Sequence, residues 1–98
     1  MYAEIEFSEL PTEIQENIIT KTKETMNDAT TPFDASDRQS VNIIKSMGII
    51  TINGDNDELL GFIKGVANSA LRESLKSGEY TETTREQYLT NGITIRKP

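Results

Sequence analysis

Cysteine, histidine and tryptophan are all missing from this chain of 98 residues. Without cysteine there can be no disulfide, no thiolate metal site and no thiol nucleophile. Without histidine the commonest general base and the commonest transition-metal ligand are gone as well. Hydrophobic residues make up 35% of the chain and aromatics 6%, so even with its 6 glycines the apolar share falls short of the roughly 45–50% usual for globular domains. No apolar run approaches the ~18 residues that a membrane span needs. The opening Met1-Tyr2-Ala3-Glu4 is acidic where a signal or transit peptide would be basic. The expectation is a cytoplasmic protein with no cofactor and no bound metal.

Length leaves room for a single small domain over residues 1–98, with the tail at 96–98 frayed. A domain of this size buries only about 60–65% of its unfolded surface, which makes for a thin core. The formal charge is −6, from 16 acids and 10 bases, and it is unevenly placed. Residues 1–28 hold seven acids against Lys21 and Lys23, whereas residues 29–54 balance and residues 55–98 carry seven acids and six bases. The acidity is thus a property of the first quarter of the chain.

The clearest element is an amphipathic helix within residues 55–78. Leu59, Leu60, Ile63, Val66, Ala67, Ala70, Leu71 and Leu75 recur at three- and four-residue steps, which sets them along one face. Asp55 with Glu58 offers a reciprocal cap, Lys76 suits the negative end of the dipole, and Gly78 supplies a left-handed stop. Ahead of it, Ala3, Ile5 and Phe7 alternate with Tyr2, Glu4 and Glu6, the pattern of a half-buried strand with carboxylates facing water. Pro11 breaks the chain, and Thr12 with Gln15 caps a helix on which Ile14, Ile18, Ile19, Thr22 and Met26 form the apolar stripe.

Pro32 and its hydroxyl neighbours disfavour helix, so Phe33 reads as a plug pinning a loop to the core. Ser36 with Gln39 then predicts a short helix with Val41, Ile44 and Met47 inward, ended by Gly48. Residues 48–52 read as a strand closed by the turn dipeptide Asn53-Gly54. Thr83 with Glu86 caps a last short helix holding Tyr88 and Leu89, and Ile93-Thr94-Ile95-Arg96 reads as a final strand. The fold expected is α+β: a small three-stranded sheet (about 2–7, 49–53 and 93–96) packed on one long helix (about 57–77), with two or three shorter helices.

Chemistry is scarce. Paired carboxylates such as Glu4 with Glu6 lie on faces open to water, where nothing shifts their proton affinity toward catalysis. Gly61 and Gly65 are inside the long helix with no Lys-Ser/Thr after them, so they form no phosphate loop; their spacing suggests close packing by another element. Asp55-Asn56-Asp57 begins like a calcium loop, but Leu59 and Leu60 stand where an oxygen ligand and a glycine are needed. Arg38 and Lys45 are the only bases over residues 37–47, too few for a helix and wing that grip duplex phosphates.

What remains is the acidic start of the chain. Glu4 and Glu6 on one strand face lie about 6.5–7 Å apart. Continued through Glu9, Glu13 and Glu16, such a row could enter a basic groove on another protein as a nucleic-acid mimic does. Composition alone, without any shared motif, resembles that of small acidic inhibitors and modulators from phages and other mobile elements. The function expected is therefore non-enzymatic: a protein-binding modulator or inhibitor that docks on a basic surface through Glu4, Glu6, Glu9, Glu13 and Glu16. The alternative is a self-associating assembly protein, a homodimer completing its thin core; a membrane or a nucleic acid is not an expected partner.

Overall fold

The computed structural model describes residues 2–96. Its elements run β1 (Ala3–Phe7), α1 (Thr12–Asn27), α2 (Ala35–Gln39), β2 (Asn42–Ser46), β3 (Ile49–Gly54), α3 (Asp57–Ser77), α4 (Glu82–Asn91) and β4 (Ile93–Arg96). The four strands form one sheet in the order β2-β3-β1-β4, every neighbouring pair antiparallel. An order of β1, α1, β2, β3, α3 and β4, with β1 between β3 and β4, is the split β-α-β arrangement. The short helices α2 and α4 are insertions ahead of β2 and β4.

Alternation sets the two faces of the sheet. Ile5 sits opposite Ile52 and Ile95, and Phe7 opposite Ile50 and Ile93, so their side chains share one face. Helices α1 and α3 cover that face, and Ile14, Ile18 and Met26 meet Leu59, Ile63, Leu71 and Leu75 in a single buried core. Among the described residues no element covers the opposite face. The α+β expectation holds, and the long helix lies where its periodicity put it. Its cap is Asn56, whose side chain accepts the Leu59 N–H at 2.6 Å, with Asp57 and Glu58 in the first turn where the dipole favours acid. Phe33 does act as a plug, its ring edge-on to Phe62 at 5.5 Å.

The sheet has a fourth strand that the expected three omitted. Residues 36–47 are not one helix: α2 ends at Gln39, and β2 follows as the partner of β3. The steps Val41, Ile44 and Met47 imitate a helical stripe, but the β-branched run wins by pairing, with Ile43 opposite Ile52 on the core face. Met47 and Gly48 form the two-residue hairpin turn, both with positive φ (53° and 78°), the backbone that matches the twist of the strands. Asn53-Gly54 continues β3 instead of closing it, because both residues pair with β1, opposite Glu4 and Ala3; Leu60 lies 3.4 Å from where a Gly54 Cβ would stand.

Several expected caps also move. Pro11 occupies the N-cap of α1 with no side-chain bond, Asp34 caps α2, and Thr81 caps α4. Gly78 is extended (φ −97°) and not left-handed; a side chain there would overlap the Tyr80 ring. Gly61 and Gly65 face open space: among the described residues nothing lies within 4 Å of an added Cβ, and no element packs on them. Of the tail expected at 96–98, Arg96 closes β4, and the other two residues lie outside the described ones. Among the described residues no helix is long and apolar enough to cross a membrane.

Candidate functional site

The uncovered face of the sheet is built from the residues that alternate with the core. Central strand β1 contributes Glu4 and Glu6, which sit opposite Asn53 and Thr51 of β3 and opposite Arg96 and Thr94 of β4. Strand β2 adds Asn42, Ile44 and Ser46 at the far edge. The centre of the face is therefore two carboxylates among short polar side chains. Arg96 Nη2 lies 2.8 Å from Glu6 Oε2, a diagonal cross-strand pair whose guanidinium is largely in water (64% exposed, against 23% for Glu6). Among the described residues Glu4 makes no ion pair.

The five acids singled out in the sequence are not one row. After Phe7 the chain turns at Pro11 around the end of the sheet, so α1 lies on the other side from the Glu4–Glu6 face. Glu9 and Glu16 instead reach Gly48 and Lys45 around the β2–β3 turn, whereas Glu13, also on the first turns of α1, lies toward Tyr80 beyond the end of α3. Glu9 approaches Gly48, its Cγ lying 3.6 Å from where a Cβ would stand. Glu16 Oε1 holds Lys45 Nζ at 2.7 Å, and the hydrogen bond and charge of that ammonium keep the Glu16 carboxyl below its ordinary proton affinity. Glu13 lies near Tyr80, whose phenol is pushed up first by burial and then by the Glu13 charge.

Buried Gln15 ties these parts together, its Nε2 donating to the Gly48 carbonyl at 2.6 Å. The sequence expected Gln15 as a capping partner, yet it fixes the hairpin to α1. Met47 projects from this end with 92% of its surface exposed. The missed participants are thus Arg96, Thr51, Asn53 and the edge strand. Their assignment needs the strand register, which alternation within one strand does not specify. Among the described residues no three acids gather into a cluster able to hold a metal ion.

The strand residues of the open face include no aromatic side chain, although Tyr2, immediately before β1, is 48% exposed, and the carboxylates of the face repel phosphate. Its chemistry suits cations. No protein-family model matches the chain at a significant level, and neither does any curated protein or solved structure.

Proposed function

We propose that this chain is a non-enzymatic binding protein whose open sheet face docks on a basic surface of another protein. The observation that carries the reading is Glu4 beside Glu6 on the central strand of an uncovered face, with Thr51, Asn53 and Thr94 around them. A rigid sheet holds both carboxylates at fixed spacing, which lowers the ordering cost of meeting paired lysines or arginines. The Glu6–Arg96 bridge is no obstacle. Exposed pairs are worth about 0–1 kcal/mol, so a partner's arginine can replace Arg96 at small cost. The break of the acidic row at Pro11 weighs against a long nucleic-acid mimic and favours a compact acidic patch.

Titration with an arginine- and lysine-rich peptide tests the reading. Glu4→Gln with Glu6→Gln weakens binding about tenfold and flattens its salt dependence, as expected for two lost interfacial charges. Glu13→Gln with Glu16→Gln leaves it nearly unchanged, which separates a patch from general acidity. Equal losses in the two double variants, or none in the first, count against the patch.

Self-association is the second reading, favoured by Ile44 and Ile95. These residues stand on the two edge strands and are 46% and 43% exposed. Light scattering at two concentrations distinguishes it, because a stable oligomer without added ligand supports the homodimer.

A further inference from the structure

Away from the acidic face, a groove of about 590 Å³ opens between the second half of α1, helix α2 and the edge strand β2. In a chain of net charge −6 its lining is unexpected, because it includes Lys23 and Arg38 and no carboxylate. Met26, Val41 and Ile43 supply an apolar wall, of which Met26 belongs to the core and the other two pack against it.

Arg38 is half-buried and held in place. Its Nη1 donates to the carbonyls of Met26 at 3.1 Å and Asp28 at 3.4 Å, capping the end of α1. Its Nε is closed off from water and, among the described residues, has no hydrogen-bond partner. The carboxylates along this stretch make their hydrogen bonds to other groups, although Asp28 also feels the Arg38 charge. Asp28 Oδ1 accepts from the Thr30 N–H and hydroxyl, Asp34 caps the Asp37 N–H, and Asp37 Oδ1 accepts from Asn56. Among the described residues the guanidinium makes no direct ion pair; the Asp28 carboxylate is the nearby charge it feels, and Arg38 helps to hold that carboxyl below its ordinary proton affinity after the Thr30 hydrogen bonds.

We propose that this groove binds a small organic anion, with its carboxylate or phosphate between Lys23 and Arg38 and its apolar body against Met26, Val41 and Ile43. With Nη1 committed to two carbonyls and Nε closed off, the pinned guanidinium offers Nη2 for one charge-assisted contact with such a head group. The volume lies within the roughly 300–1,000 Å³ of small-molecule sites. A free molecule fits better than an extended peptide added to β2. The inward Lys45, bound to Glu16, guards the rest of that edge against strand pairing.

The test is an amide-resolved NMR titration of the whole chain with hexanoate and, separately, phenyl phosphate, each taken into the millimolar range. Hexylamine is the control of opposite charge, since general attraction to an acidic protein would recruit the amine. Hexanoate or phenyl phosphate shifts amides within residues 23–27 and 35–43, and hexylamine does not. The arm that binds more tightly identifies the head group. Arg38→Gln weakens that binding about tenfold, the value of one charge-assisted contact. Because Arg38→Gln also uncaps α1, the exposed Lys23→Gln serves as a second variant and weakens binding about threefold without loss of fold. The proposal is overturned by the absence of localised shifts with both anions, by equal shifts from hexylamine, or by wild-type affinity in Lys23→Gln.

Discussion

Replacing Met47 by asparagine should make this protein more stable, although methionine is the better helix former and the more apolar residue. Met47 is the first residue of the β2–β3 turn and holds φ at 53°, where an L side chain crowds its own backbone. The left-handed region costs an ordinary residue roughly 1–2 kcal/mol, and asparagine far less. The Met47 side chain is 92% exposed, so its loss forfeits almost no buried area. A gain of about 0.5–1 kcal/mol follows, because asparagine keeps some of the penalty that only glycine escapes. For a domain of this length that is a rise in Tm of roughly 2–8 °C. Urea unfolding gives the same number independently, with an unchanged slope showing that the unfolded state is not the cause. Gly48→Ala is the complement. Its added Cβ meets Glu9 Cγ at an ordinary 3.6 Å, so the expected loss of about 1 kcal/mol comes from φ +78° alone. If residues 36–47 were instead one helix, Met47→Asn would cost about 0.5 kcal/mol. A fall in Tm would therefore refute the hairpin.

Three further outcomes follow from the geometry. Gly61→Ala and Gly65→Ala each stabilise the chain by about 1 kcal/mol in thermal unfolding, since both lie in the interior of α3 with open space around them; a loss of stability, or a change of oligomer, would reveal a surface that packs there. Thr22→Val raises the urea midpoint by the equivalent of about 1–2 kcal/mol, because the Thr22 hydroxyl is buried with no partner among the described residues; a decrease would mean that the hydroxyl is satisfied. Glu16 titrates below the ordinary glutamate range by carboxyl-carbon NMR, held down by its hydrogen bond to Lys45 and the charge of that ammonium, and Lys45→Met returns it toward the ordinary range. A depressed folded-state value means that the bridge's contribution is present above the unfolded pKa and is lost as pH falls through the folded one; a Glu16 titration unmoved by Lys45→Met would exclude the bridge.

Where a segment's apolar spacing had one reading, it gave the fold. The α3 stripe from Leu59 to Leu75 has no competing strand pattern, and Ala3, Ile5 and Phe7 alternate without interruption. Residues 41–47 carry both periods. Val41, Ile44 and Met47 fit a helix, and Val41 and Ile43 fit a strand, so only pairing with β3 decides. The turn was hidden because Met-Gly lacks the asparagine or aspartate that usually announces two positive φ angles, whereas Asn53-Gly54 has it and lies inside a strand.

The acidic patch was half legible. Glu4 and Glu6 share a face by simple alternation, but the distance from Glu6 to Glu13 depends on how the chain rounds the sheet at Pro11. Arg96 could be paired with Glu6 only once β1 and β4 were known to be neighbours. Lys23 and Arg38 are 15 positions apart on different helices, so their common groove has no signature in the sequence.

The proposal of a docking face rests on where a basic partner makes contact, and oligolysine followed by amide NMR reads that directly. Chemical-shift changes centred on Glu4, Glu6, Thr51, Asn53 and Thr94, and fading with added salt, are the predicted footprint. Changes centred instead on Glu9, Glu13 and the start of α1, with the open sheet silent, would contradict it.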